Sequence, residues 1–369
     1  MAQAKTRQPQ GPATGKSQAS AKANRAKAKP AATRPVKPLR TLNKTKTHRV
    51  RNFICAVIAF IFALAALLGT VTHILPEELQ ALPYMPIVVS LVPWFTLLAV
   101  IALVCAIVSK RTVSIVMAVL AIALQAFWQY PFFYQPSKLP RAAVAAASGE
   151  TVNTDDGYAR LMTCNVYKGR ADAREIVDLV RSEHVEVLAL QETTDAFVDD
   201  LNRAGIASYL PYAQVSSSLD DPSDDDVDSS ASFMPGGTVS FNGGATQVRF
   251  VSVHTTSPTN DYWQQWKRSL DELSKLRFDT SRRYVFMGDF NATYDHTPFR
   301  NILGNRFSDA SRQAGEGLKF SWPANVDYVP SFAGIDHIVL DSGMQAGQVR
   351  TVKVDGSDHK ALLAIVRVG

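Results

Sequence analysis

The stretch Tyr284-Val285-Phe286-Met287-Gly288-Asp289-Phe290-Asn291-Ala292 runs four apolar residues into a glycine and two oxygen-bearing side chains. A short apolar run bounded by a turn residue reads as a buried strand. Gly288 then lets the backbone turn, and Asp289 and Asn291, two apart and so on one face, project from the strand end. The design recurs in Leu161-Met162-Thr163-Cys164-Asn165, in Val187-Leu188-Ala189-Leu190-Gln191-Glu192 and in Val251-Ser252-Val253-His254. Downstream, Gly334-Ile335-Asp336-His337 and Ser357-Asp358-His359 add carboxylates and imidazoles. Together these phrases supply oxygen ligands and histidines without a cysteine cluster, a set that suits a hard cation such as Mg²⁺ rather than structural zinc.

Helix-like segments separate the strands. Asp172 to Glu175 reads as a capping box, followed by the helical stripe Ile176, Leu179, Val180 and then Glu183, with a polar face. Trp263, Trp266, Leu270 and Leu273 recur at helical spacing, with Asn260 or Asp261 as the cap and the tryptophans read as core. Alternation of helix and strand points to layered α/β architecture.

The N-terminal part is built differently. Residues 1–51 hold 14 Lys plus Arg and no Asp or Glu, a composition that cannot bury a core and predicts a disordered basic cytoplasmic arm. Residues 52–134 carry three apolar runs, about 53–75, 87–108 and 113–133, each near the ~20 residues a helix needs to cross a bilayer. The first is too long, and too far behind the arm, for a cleaved signal peptide. Lys and Arg precede it, Glu77 and Glu78 follow it, and Lys110-Arg111 separates the second run from the third. The positive-inside rule then predicts a multi-pass cell-membrane protein whose N-terminus is cytoplasmic and whose residues after the third run are extracytoplasmic. Trp128, Tyr130, Phe132, Phe133 and Tyr134 read as an aromatic belt at the outer interface, and residues 135–156 as a polar linker.

The chain's net charge of +6 is an average of unlike parts: after Arg141, 21 basic residues face 31 acidic ones, a balance of −10. That disfavours an electrostatic footprint for nucleic acid on the C-terminal part. Six of the acids lie in Asp220 to Asp228, beside Pro222 and serines, and read as a solvated loop; a calcium loop is the lesser reading, for want of an EF-hand's Gly and terminal Glu. Of three cysteines only Cys164 lies after the apolar runs, so no disulfide forms there; next to Asn165 on a strand, it faces the other way as a small buried group.

The ordered phrases from Asn165 to His359 resemble the endonuclease/exonuclease/phosphatase superfamily, which includes deoxyribonuclease I-like enzymes and neutral sphingomyelinases. Ser321-Trp322-Pro323 is similar to its membrane-attached members. The resemblance implies a four-layer α/β/β/α sandwich over residues 157–369, preceded by three transmembrane helices, and a metal-dependent hydrolase acting as a phosphodiesterase or phosphatase. It implies that Asn165, Glu192 and Asp358 hold Mg²⁺, with Mn²⁺ as the alternative. Asp289 positions or deprotonates the attacking water, Asn291 orients it or a phosphoryl oxygen, Asp336 fixes the His359 ring, and His254 bonds the phosphate from the opposite side. The base is Asp289 or His359. His337, His184 and His296 are read as structural, His337 because it follows Asp336 on a strand and faces away. The expected substrate is a lipid-linked phosphate ester at the cytoplasmic membrane, with extracellular nucleic acid as the alternative. One departure stands out: the family's Gly-x-x-Ile-Leu-Ser-like hairpin phrase is missing between Tyr209 and Val248, leaving Tyr209 and Tyr212 as candidates for a further substrate contact.

Overall fold

The computed structural model describes residues 39–149, 153, 155–214, 225–229, 232–259 and 261–369. The chain divides into a unit of residues 1–49 and a second of residues 50–369, which holds all the elements below except the start of α1. Most of the basic arm lies outside the described residues.

Three helices carry the apolar runs: α1 (Leu39–Val71), α4 (Phe95–Ser109) and α5 (Thr112–Gln129). Two short helices, α2 (Glu77–Gln80) and α3 (Met85–Ser90), join α1 to α4. Among the described residues, the segments long and apolar enough to cross a membrane are Lys46–Ile74, Val92–Ser109 and Thr112–Phe132. The second starts five residues later than the sequence reading put it. Pro86 opens α3 and Pro93 opens a separate 3-10 turn, and a residue without an N–H starts a helix better than it continues one. The three helices meet through alanine layers, Ala63 with Ala102 and Ala118, then Ala66 with Ala99 and Ala121, which lets their backbones approach closely.

The remaining chain builds two sheets. One has the order β2 (Val187–Gln191), β1 (Tyr158–Asn165), β10 (Lys360–Arg367), β9 (Gln345–Lys353). The other runs β3 (Asp225–Ser229), β4 (Ser232–Phe241), β5 (Thr246–His254), β6 (Tyr284–Asp289), β8 (Asp336–Leu340), β7 (Ser308–Asp309). Only β1–β2 and β5–β6 pair in parallel. Period-two alternation divides each strand between two cores: Val285 and Met287, with Ile338 of neighbouring β8, face the other sheet, where Leu161 and Leu362 meet them, while Tyr284 and Phe286 face outward.

Helices α9 (Trp263–Lys275) and α10 (Thr297–Leu303) cover that outward face, with Trp266 and Leu270 fully buried. Helices α7 (Ala173–Ser182) and α8 (Asp195–Ala204) cover Met162 and Cys164 on the other side. The fold is thus the α/β/β/α sandwich, with α6 (Arg141–Ala147) and α11 (Ala310–Ala314) at its margin.

Several local expectations need correction. Asp172 caps α7 by accepting from Arg174 and Glu175 N–H, but Glu175 reaches over to Asp355 N–H, so no reciprocal box forms. Helix α9 has Tyr262 at its N-cap with no side-chain hydrogen bond; Asp261 sits before it at φ +71° and Asn260 lies outside the described residues. Asp225, Asp226 and Asp228 belong to β3, so part of the acidic run is a strand rather than a loop, while Asp220, Asp221 and Asp224 lie outside the described residues. In the interval that lacks the phrase, β3 and β4 pair antiparallel, and Pro235 sits beside the register shift where a missing N–H is tolerated. The predicted polar linker includes α6 and buried Leu139, whose N–H donates to Ala346.

The belt, too, is divided. Tyr130, Phe133 and Tyr134 are exposed, but Phe132 packs edge-on against Tyr294, and Trp128 stacks on His73 at 4.1 Å between centroids. His73 Nδ1 meets Asp295 at 2.7 Å, and Gln80 accepts from Thr297 N–H at 2.6 Å. The Trp94 indole donates to the Phe332 carbonyl at 2.8 Å and His296 Nε2 donates to that of Pro86 at 2.9 Å. These contacts tie the segment between the first two apolar helices to the sandwich.

Burial pushes the His296 imidazole down to about 4, against the pull of the Pro86 carbonyl and Asp295. Because the folded value lies below the ordinary one, the stability it protects is complete above pH 6.5 and is lost as pH falls from there through 4, by roughly 3 kcal/mol in all. Melting of full-length protein in detergent should show a steeper fall between pH 7.5 and 5 for the wild type than for His296→Gln, which keeps a donor toward Pro86 without a titrating ring. Parallel curves would contradict this account.

Candidate active site

The strands place the predicted polar residues at one edge. Parallel pairing brings the C-terminal ends of β5 and β6 together, with His254 opposite Asp289. Antiparallel β8 begins where β6 ends, with Asp336 on the other side of Asp289. In the facing sheet β1 and β2 end side by side at Asn165 and Gln191, and Glu192 follows. Asp358 and His359 immediately precede β10, which starts where its antiparallel neighbour β1 finishes.

Hydrogen bonds join the two halves. Asn165 Nδ2 donates to Glu192 Oε1 and across the sandwich to Asp289 Oδ2, each at 3.1 Å, while Asn165 Oδ1 accepts from Tyr167 N–H at 2.9 Å. Glu192 Oε2 accepts from Lys168 N–H at 3.0 Å, and His254 Nε2 stands 3.7 Å from Glu192 Oε1. Asn291 N–H donates to Asp289 Oδ1 at 2.8 Å, and its Nδ2 to the Thr255 carbonyl at 3.0 Å. Glu192 and Asn291 both adopt positive φ, +57° and +47°, conformations that cost energy in a non-glycine residue and concentrate at functional sites.

His359 is the electrostatic centre. Its Nδ1 pairs with Asp336 Oδ2 at 2.8 Å, and Nε2 points toward Asp289 Oδ2 at 3.7 Å and Asp358 Oδ1 at 3.9 Å. Burial disfavours charge on the ring, but Asp336 and Asp289, then the hydrogen bond to Asp336 and the charge of Asp358, outweigh it and push the imidazole up to about 10. Burial raises Asp289, with His359 pulling the other way and Asp336 adding to the rise. Asp358 is likewise raised by burial against His359.

Asp289, Asp336 and His359 can bring ligand atoms within 4.8 Å of one another. Within this group Asp336 Oδ2 and His359 Nδ1 already hold each other at 2.8 Å as an acid–imidazole pair. Asp358 adds a carboxylate 3.9 Å from His359 Nε2, and buried Asn165 joins Glu192 to Asp289.

Some contributors escaped the sequence reading. Ser357 Oγ donates to the Asn165 carbonyl at 2.7 Å and accepts from His359 N–H at 2.9 Å. Ser321 Oγ accepts from Ile335 and Asp336 N–H at 3.3 Å. Gln191 bridges the sheets, accepting from Thr163 at 3.2 Å and donating to Ser252 at 3.0 Å. All three lie inside the quoted phrases, but a hydroxyl or amide that fixes a backbone has no periodicity to announce it. Conversely, Tyr212 is fully exposed, Tyr209 follows a 3-10 turn, and among the described residues neither hydrogen-bonds a site residue. His337 is structural, held by Asp309 at 2.7 Å and the Ala292 carbonyl at 2.8 Å. His296 is buried in the contact to Pro86, away from this edge. Cys164 is buried behind Asn165, and burial raises its thiol pKa far above the reactive range.

The two-sheet sandwich carries its acid–imidazole pair at one edge, and the family to which the chain belongs makes it a hydrolytic enzyme. The chain belongs to the Endonuclease/Exonuclease/phosphatase family, whose model matches residues 162–359; its members are phosphodiesterases and phosphatases. No curated protein matched. Among solved structures it is similar to an endonuclease/exonuclease/phosphatase family protein from Bacteroides thetaiotaomicron, with 13% identity, 57% of this chain and 97% of that one covered, and a TM-score of 0.45. A humanized TDP2 of D. rerio matches with 18% identity, 57% and 99% coverage and a TM-score of 0.46. A mannosyl-6-phosphatase of Bacteroides thetaiotaomicron matches with 13% identity, 56% and 99% coverage and a TM-score of 0.44.

Gly288 sets the height of Asp289. Its φ is +151°, and a Cβ there would stand 2.0 Å from the Val253 carbonyl oxygen and 2.9 Å from its nitrogen, all backbone. Gly288→Ala should therefore cost on the order of 3 kcal/mol or more in urea unfolding. Cys164→Ala, which removes one buried sulfur, should cost at most about 2 kcal/mol and leave hydrolysis intact. A stable Gly288→Ala protein, or an inactive Cys164→Ala one, would contradict the geometry.

Proposed function

We propose that this chain is a membrane-anchored, extracytoplasmic, Mg²⁺-dependent phosphoesterase that hydrolyses a phosphodiester, phosphate or pyrophosphate bond of a lipid-linked substrate. The observation that carries the reading is the buried His359 ring, clasped by Asp336 and aimed at Asp289 on the edge where Asn165 and Glu192 converge.

The donor set fits a hard cation. Asn165, Glu192 and Asp358 offer oxygen, and Asp358 Oδ1 is buried without a hydrogen-bond partner in the structure. When bound there, Mg²⁺, or Mn²⁺ in its place, supplies positive charge to a phosphoryl oxygen. The chain's own groups do the rest. Protonated His359 holds its Nε2–H toward a phosphoryl oxygen, and Asp336 keeps the ring in that orientation. Asp289 Oδ2 takes the proton of the attacking water. Asn291, with its amide nitrogen committed to Thr255, keeps its side-chain carbonyl for that water. His254, about one-third exposed, bonds the phosphate from the facing side.

Three spans leave the two chain ends on opposite sides of a bilayer. Basic residues before the first span and Lys110-Arg111 between the second and third favour the cytoplasm for the N-terminus, which leaves the catalytic unit outside. A tethered enzyme gains most when its substrate shares the bilayer, because confinement raises effective concentration.

With full-length protein in liposomes, EDTA should abolish hydrolysis of an embedded lipid pyrophosphate and added Mg²⁺ should restore it. Glu192→Ala, Asp289→Ala and His359→Ala should each lower kcat by roughly 10²-fold or more without unfolding the protein. EDTA-resistant activity would refute the metal assignment. Rapid cleavage of DNA with no attack on any lipid phosphate would replace the substrate reading by that of a surface nuclease.

A further inference from the structure

Residues 324–331 leave the active site and return to it without joining either sheet. Their roots are fixed: Ala324 N–H donates to the Asp358 carbonyl at 2.7 Å, Ser331 Oγ donates to the Pro323 carbonyl at 2.7 Å, and Trp322 bridges to Ala333. The tip presents Val326, Tyr328 and Val329, with Tyr328 fully exposed and held at φ +63°. Three large apolar side chains in four residues, turned to solvent beside a catalytic edge, form a patch rather than the scattered singles of an ordinary surface.

The loop's height is set by the second span. Trp94, near the start of that span, donates its indole N–H to the Phe332 carbonyl at 2.8 Å and stacks on Phe320 with centroids 5.5 Å apart. Four residues separate Phe332 from Tyr328, at most about 14 Å of extended chain. The tip therefore lies within about 14 Å of Phe332, which the Trp94 end of the second span holds.

We propose that loop 324–331 dips Val326, Tyr328 and Val329 into the interfacial layer of the bilayer that holds the chain's own spans, making the membrane surface a docking partner of the catalytic edge. A tyrosine suits that depth, its ring apolar and its hydroxyl wet, while Asp327 stays among the headgroups. A phosphate on a lipid then reaches the Asp358 side of the site while its tail remains in the membrane. The inference rests on the three-span anchoring proposed above.

The test uses full-length protein carrying Cys55→Ser and Cys105→Ser, in phosphatidylcholine–phosphatidylglycerol vesicles with brominated acyl chains. A nitrobenzoxadiazole probe is attached in turn to Tyr328→Cys, to Phe60→Cys on the exposed face of the first span, and to Asp178→Cys on α7 in the far outer layer. Bromine should quench the probes at 328 and 60 and spare the one at 178. Quenching at 60 without quenching at 328 would overturn the loop's role and leave the anchoring intact. Quenching at neither would remove both. In parallel, the triple variant Val326→Ser, Tyr328→Ser, Val329→Ser should lose on the order of tenfold in hydrolysis of vesicle-embedded lipid pyrophosphate. It should match the wild type on water-soluble bis(p-nitrophenyl) phosphate. Equal loss on both substrates, or none on either, would count against an interfacial role. Quenching at 328 with no attack on any lipid would uphold membrane docking and sink the lipid substrate instead.

Discussion

The structure turns on the position of β6 between a parallel neighbour and an antiparallel one. Parallel β5 delivers His254 beside Asp289, and antiparallel β8 delivers Asp336 on its other flank, so an imidazole and two carboxylates meet at one strand end. The backbone of β6 approaches β5 too closely at Gly288 for any side chain there. The second sheet repeats the arrangement with β1, β2 and β10, and Asn165 reaches across to Asp289 to close the edge.

That closure buries charge, which is costly unless the charges compensate one another. His359 lies among Asp336, Asp289 and Asp358, and their combined pull outweighs the burial that would otherwise neutralise the ring. Ser357 and Ser321 hold the loops that bring these groups together, so the pairing does not depend on long flexible side chains. Asp336 Oδ1 is buried with no partner in the structure, the kind of group whose desolvation is tolerated where function requires it.

The apolar helices are joined to this edge by polar contacts rather than by a passive tether. His73 with Asp295, Gln80 with Thr297 and Trp94 with Phe332 all link the segment around the first two apolar helices to α10 or to the loops beside the active edge. Buried hydrogen bonds of this kind fix orientation, since a mismatched alternative leaves donors unsatisfied.

Most of the fold and the membership of the edge were legible in the sequence because both follow from local pattern. Strands buried on two faces must be continuously apolar, and the first polar residue after such a run must sit at a sheet edge, as Asn165, His254 and Asp289 do. Runs of about twenty apolar residues also announce helices long enough to cross a membrane, although Pro86 and Pro93 shifted where the second begins. Other features depend on which distant group arrives first. Glu175 fits a capping box but finds Asp355; Phe132 and Trp128 fit an interfacial belt but find Tyr294 and His73. A lone serine carries no pattern that foretells a bond to a residue nearly two hundred positions away, as Ser357 makes to Asn165. The sequence by itself determined the layers, the long apolar helices and which residues stand at strand ends, because period and length act locally. Only the tertiary structure decided which of them touch, how the His359 proton is held and how the apolar helices grip the sandwich, because those are contests between partners far apart in the chain.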